Sequence, residues 1–200
     1  MGCIYAKRRK EALRKGLDIT SNSHRKKTYL KNTNQCDGSP QQTRGITEPA
    51  PEFTDRQREL VVQTWGIIQE DMARVGVVMF MKLFETHPDV QDVFMPFKGQ
   101  SKEDLKHSSQ LKAHALRVMN TVEKCLGRMN EPAKLQEMLH DLGTRHVMYS
   151  AKVDYIDLIG PQFIWAIQSS VGDAWTPEVE QAWSDLFKLI SHYMKAAMVF

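Results

Sequence analysis

From Thr54 onward, apolar residues recur every three to four positions, the period of a helix with one face turned inward. Thr54-x-x-Gln57 reads as a capping box, and Leu60, Val61, Thr64, Trp65 and Ile68 then share one face. A second helix carries Val75, Val78, Met79 and Leu83. It stops before Pro88, because proline disfavours helical backbone in the residue ahead of it. Phe94, Pro96 and Phe97 make an aromatic corner broken by proline. Another helix presents Leu111, His114, Val118 and Val122. Asn130 with Pro132 signals the start of one bearing Leu135, Met138, Leu142 and His146. A helix over about 154–171 turns Ile156, Ile159, Phe163 and Ile167 inward. Gly160-Pro161 should kink it, since Pro161 has no N–H to donate to the Asp157 carbonyl. Thr176-Pro177 opens the last helix, with Val179, Trp183, Leu186, Phe187, Ile190 and Met194 inward. Alternating strand patterns with hairpin turns are absent, so the fold class is all-α, a bundle of six to eight helices.

Ahead of this region the period disappears. Residues 16–52 are rich in Ser, Thr, Asn, Gln, Gly and Pro and read as a flexible linker without a core of their own. The chain therefore divides into an N-terminal polybasic segment (1–15), the linker (16–52) and a helical domain (53–200). The apolar fraction of 42% and charged fraction of 26% are those of an ordinary globular protein. No apolar run reaches the 18 or so residues a spanning helix needs, so the chain is not expected to cross a bilayer by itself.

The net charge of +3 is unevenly distributed: residues 1–31 carry a balance of +8 and the remainder −5. A mildly acidic body argues against nucleic-acid binding, where the basic face belongs to the fold, and places any anionic partner at the tail. The opening Met1-Gly2-Cys3 offers Gly2 for myristoylation and Cys3 for palmitoylation. Ala6 stands where the myristoylation motif prefers Ser or Thr. One acyl chain binds marginally, so stable anchoring takes two signals. Lys7–Lys10, continued by Arg14, Lys15, Arg25, Lys26 and Lys27, is a third. Lipidation and an anionic membrane surface are therefore expected, at the cytoplasmic face of the plasma membrane. Three cysteines (Cys3, Cys36, Cys125) are too few and scattered for a disulfide framework, although a single Cys36–Cys125 bridge stays open on spacing alone.

Of seven histidines, His24 lies in the tail, and His87, His107, His140 and His192 fall on helix ends or mixed faces and read as exposed. His114 and His146 lie on apolar stripes. An imidazole there is either hydrogen-bonded within the core or a ligand. Two such histidines with no Asp or Cys at ligand spacing fit zinc poorly, and fit a planar cofactor with axial imidazoles and apolar walls better.

With these residues in place, positions 54–195 resemble a globin. The resemblance is carried by Trp65 on the first helix, Leu83-Phe84 leading to Pro88, and Phe94 at the corner, where globins stack a Phe on the haem. It extends through Leu111-Lys-Ala-His114-Ala-Leu-Arg-Val118 and Leu139-His-Asp-Leu142-Gly-Thr-Arg-His146, with the two histidines 32 residues apart. The Met-Gly-Cys start and basic extension are similar to globin X, a membrane-associated branch of that family. This likeness implies a globin fold around a haem b pocket, with His146 as proximal and His114 as distal iron ligand. It places Phe80 over the distal face, Val118 one turn beyond His114, Leu142 beneath the proximal side, and Arg117 within reach of a propionate.

Three functions are compatible with such a site. The first is redox chemistry at the membrane, with O2, NO, CO or nitrite as small partners and a cellular reductase as electron donor. The second is reversible dioxygen binding. The third is a tethered module that regulates a protein partner. No general acid or base other than His114 is visible, so turnover would rest on the iron, and enzymatic activity is left open.

Overall fold

The computed structural model describes residues 49–199. Among them, eight α-helices follow one another: α1 (Asp55–Ile68), α2 (Met72–Thr86), α3 (Pro88–Gln91), α4 (Lys102–His107), α5 (Ser109–Arg128), α6 (Pro132–Met148), α7 (Val153–Val171) and α8 (Pro177–Ala196). Single 3-10 turns at Gln69–Asp71 and Gly172–Ala174 join α1 to α2 and α7 to α8. The fold class is the all-helical one read from the pattern, at the upper end of its helix count. The Gly2 and Cys3 assignments, the basic cluster and Cys36 lie outside the described residues.

Helix starts follow local chemistry. Thr54 and Gln57 form the reciprocal capping box, and Leu60, Val61, Thr64, Trp65 and Ile68 are all buried. Side chains of Ser101, Ser108 and Thr176 each accept a backbone N–H in the first turn of α4, α5 and α8. Such caps satisfy orphan amides and are each worth about 1 kcal/mol. At α6 the expectation needs correction. Pro132 does sit in the first turn, but the N-cap is Glu131, without a side-chain cap, and Asn130 does not cap the helix.

Helix α7 continues through Pro161, which lies inside its run from Val153 to Val171. The glycine before it has a different purpose. A Cβ at Gly160 would lie 2.8 Å from the Phe187 ring, so Gly160 lets α8 press against α7. Lys195 on α8 reaches Asp157 on α7 at 2.8 Å.

Two apolar cores result. The larger joins α1, α2, α5, α7 and α8 around Trp65, Met79, Phe80, Leu111, Phe163, Ile167, Trp183 and Leu186. Trp65 and Trp183 meet at 6.1 Å between ring centroids, and the Trp183 indole N–H donates to Thr64 Oγ1 at 2.9 Å. The Thr64 hydroxyl in turn donates to the Leu60 carbonyl at 2.8 Å, so a polar pair is satisfied inside the core. The smaller core lies under α6 and gathers Cys125, Leu135, Leu139, Ile156, Leu189, Met194 and Met198, with Ala50 and Phe53 packed against it. Cys125 is a free thiol, and burial pushes its pKa up to about 12.

Candidate functional site

Both singled-out histidines are half-buried, on α5 and α6. These two helices pack mainly against other partners, α5 against α2 and α6 against α8. Each of those packings closes on a glycine beside a histidine. A Cβ at Gly76 of α2 would sit 2.9 Å from the carbonyl oxygen of Ala115, the residue after His114. A Cβ at Gly143 of α6, three residues before His146, would run into the Met194 carbonyl oxygen of α8 and lie 3.0 Å from Ala197 Cβ. Backbone-to-backbone approach of this kind needs glycine for lack of a Cβ. It sets how far each histidine helix stands from its neighbour.

The imidazole of His114 is flanked by phenyl rings. Phe80 of α2 approaches with ring centroids 5.0 Å apart, and Phe94 of the corner at 5.7 Å in an edge-on arrangement. Phe80 and Phe94 also meet edge to face at 5.8 Å, within the range aromatic pairs prefer. Phe84 at 5.5 Å and Phe97 at 5.9 Å buttress Phe94 from behind. This apolar setting decides the charge state of His114. Burial, and then the positive charges of Arg117 and His146, lower its pKa from 6.5 to about 4. At neutral pH the ring is therefore uncharged and carries a nitrogen lone pair.

His146 is oriented from its own helix. Its Nδ1 lies 2.8 Å from the Leu142 carbonyl oxygen. A carbonyl only accepts, so in the neutral ring the proton sits on Nδ1 and the lone pair on Nε2. Such a backbone contact fixes both tautomer and ring direction, as metal-binding histidines require. Beyond His146, the helix ends in a Schellman motif. Ala151 N–H donates to the His146 carbonyl at 3.0 Å and Ser150 N–H to the Val147 carbonyl at 2.9 Å. Ser150, at φ 61°, takes the left-handed position that glycine usually fills there.

The structure thus brings together His114, Phe80 and Phe94 by direct ring contact. Val118 is half-buried one turn beyond His114 and packs on the larger core, and Leu142 packs on the smaller one while holding His146. Arg117 is exposed, with its charge acting on His114. Two histidines read as exposed prove half-buried. The ring of His87 pairs with Thr86 Oγ1 at 2.8 Å, and His192 lies edge-on to Tyr193 at 5.4 Å. Sequence reasoning missed Gly76 and Gly143 as site residues. Their signal was a glycine within an apolar stripe, beside Val75 and Met79 or beside Leu139 and His146. Among the described residues no group of three or more His, Cys, Asp or Glu side chains gathers as a metal site. An uncharged imidazole flanked by phenyl rings and a second one oriented by a backbone carbonyl are instead a donor set suited to axial ligation of a flat, largely apolar cofactor.

Comparison with known proteins agrees with this geometry. Cytoglobin-2 of Danio rerio is 27% identical over 159 residues, 78% of this chain and 88% of that protein. An anaerobic nitrite reductase of Physcomitrium patens is 28% identical over 158 residues, 78% of this chain and 87% of that one. Neuroglobin of Tetraodon nigroviridis is 23% identical over 139 residues, covering 69% and 87%. In fold, the chain is similar to the crystal structure of a hexacoordinated heme protein from an anhydrobiotic tardigrade at pH 4. The TM-score is 0.69 at 20% identity, over 73% of this chain and 95% of that one. The Globin family profile matches residues 77–194, from within α2 to within α8. A match over more than half of the sequence, taking in both histidine helices and the aromatic corner, makes this chain a member of the globin family.

Proposed function

We propose that this chain binds haem b between α5 and α6, with His146 as proximal and His114 as distal iron ligand, and acts in redox chemistry at a membrane. The observation that carries the reading is the Nδ1 contact of His146 with the Leu142 carbonyl at 2.8 Å, which leaves Nε2 free to ligate. Haem, when bound, supplies one-electron chemistry and a place for small ligands such as O2, NO, CO or nitrite. The chain's own residues do the rest. His146 presents Nε2 in a direction set by its Nδ1 contact. His114, kept uncharged by its surroundings, presents a second nitrogen. Phe80, Phe94, Val118 and Leu142 supply apolar walls that keep water from the cofactor faces. Arg117 is an exposed cation one turn from His114, suited to a propionate.

With His114 as a ligand, the ring must leave before an external molecule enters. Apparent affinity then falls by the fraction of open sites. Nitrite as a substrate is supported by the relative named an anaerobic nitrite reductase. For the membrane, the support is the Gly2-Cys3 start and the basic run after it, features that also liken the chain to the globin X branch. A cellular reductase would supply electrons at the cytoplasmic face of the plasma membrane.

The test is the visible spectrum of the anaerobically reduced protein beside that of His114→Leu. Sharp, split low-spin bands that collapse to one broad band in the variant would establish ligation by both histidines. A broad high-spin band already in the parent would make His114 a hydrogen-bond donor, and reversible dioxygen binding would take first place. No haem absorbance in either protein would remove the reading altogether.

A further inference from the structure

We propose that the last turn of α8 positions the proximal imidazole through Gly143, so that Gly143 is a positioning residue for His146. The inference rests on the haem reading only in what His146 is for; the mechanical link belongs to the chain itself. Four contacts make up that link. The Met194 carbonyl oxygen lies too close to leave room for a Gly143 Cβ, with Ala197 Cβ beside it. The hydrogen that glycine carries in that direction therefore faces the oxygen, and α6 approaches α8 backbone to backbone at this Cα. Gly143 shares a peptide unit with Leu142, and the carbonyl of that unit accepts the His146 Nδ1–H at 2.8 Å. Beyond it, the His146 carbonyl is taken by Ala151 N–H at 3.0 Å.

The α8 side of the link is built to hold still. Met194, Ala197 and Met198 are at most 7% exposed, and the Ala197 N–H donates back to the Met194 carbonyl at 3.1 Å. One turn of α8 is thereby fixed in the smaller core, and it fixes in turn the peptide plane on which the imidazole hangs. Moving that plane by a few tenths of an ångström changes the direction of Nε2, because the ring turns with its Nδ1 partner. The adjacent core residues Leu135 and Leu139 belong to the same small core and steady α6 within it.

The test is Gly143→Ala in the full chain, with Gly127→Ala on α5, where a Cβ meets nothing within 4 Å, as the control. The readouts are the His146 Nδ1 proton in the nitrogen-resolved NMR spectrum of the reduced protein, and haem transfer to an excess of a haem-accepting apoprotein. In Gly143→Ala the Nδ1 proton is expected to shift or to exchange away. Haem is expected to leave about 10- to 100-fold faster, as for other losses of a partner that orients a ligating histidine. The control should match the parent in both. If Gly143→Ala keeps the parent's Nδ1 resonance and transfer rate, the proposal is overturned. If that variant does not fold, a chain ended after Ala196 loosens the same turn and must show the same loss. Retention of both signals there overturns the proposal equally. If the parent takes up no haem, the haem reading fails on its own. The Nδ1 proton of the haem-free protein then decides, and its indifference to Gly143→Ala refutes the link.

Discussion

Ser150 holds the one positive φ among the described non-glycine residues, 61°, immediately after the helix that carries His146. Left-handed backbone costs an L-residue roughly 1–2 kcal/mol, because Cβ crowds the following carbonyl. Here the cost is offset by two hydrogen bonds that close the helix end, Ala151 to His146 and Ser150 to Val147. Ser150→Gly removes the strain but adds backbone freedom to the unfolded chain, which takes back some of the gain. The net expectation is stabilisation by about 0.5 kcal/mol, or roughly 1–2 °C in Tm for a domain of this size. A lower Tm, read by calorimetry, would mean that the hydroxyl makes a compensating contact in solution. The same residue also shows how the proximal side is built. His146 is tied at its ring by Leu142 and at its carbonyl by Ala151, so neither end of the residue is free to drift.

Helices position the two histidines by approaching each other at glycine. Gly76→Ala should push α2 from α5 at Ala115, since the 2.9 Å contact is with backbone that cannot swing aside. The expected cost is about 1–3 kcal/mol, as for other overpacked sites. Gly66→Ala on α1, where a Cβ meets nothing within 4 Å, should instead stabilise by up to about 1 kcal/mol through helix propensity. Urea unfolding of the pair decides the matter: equal effects in both would mean the α2–α5 contact is slack. This contrast marks what could be read from the chain. Period, caps and proline placed every long helix and both histidine faces, because these are local signals repeated over many residues. The four-residue α3 and the six-residue α4 carry too few turns for a period. Ser101, whose hydroxyl accepts the Asp104 N–H, was the signal for α4. Gly160-Pro161 read as a kink because glycine and proline are breakers in isolation, and only the facing Phe187 ring shows that the glycine serves packing. Gly76 and Gly143 stayed hidden for the same reason. What a missing Cβ makes room for lies on another helix, far along the chain.

At the scale of the whole molecule, charge divides the first 31 residues from the rest. Residues 1–31 hold a balance of +8 and the rest −5, so an anionic bilayer attracts the tail and mildly repels the body. If the tail is the anchor, binding to anionic vesicles has two separable parts. The acyl chains on Gly2 and Cys3 contribute a part insensitive to salt, at about 0.8 kcal/mol per buried methylene. The basic residues contribute about 1 kcal/mol each near the surface, over a screening length that shrinks from about 10 Å at 0.1 M salt to about 3 Å at 1 M. Protein made without acylation isolates the second part. It is expected to sediment with vesicles containing phosphatidylserine at 0.1 M salt, to be released at 1 M, and to ignore purely phosphatidylcholine vesicles. Replacing Lys7, Arg8, Arg9 and Lys10 by alanine removes about 4 kcal/mol on this arithmetic, close to a thousandfold in partition. Binding that survives both the salt and the substitution would show that charge on the basic run is not what holds the unacylated chain to the bilayer. No binding by the unacylated chain, with full binding once Gly2 is acylated, would make the lipid the whole anchor and reduce the basic run to a spacer.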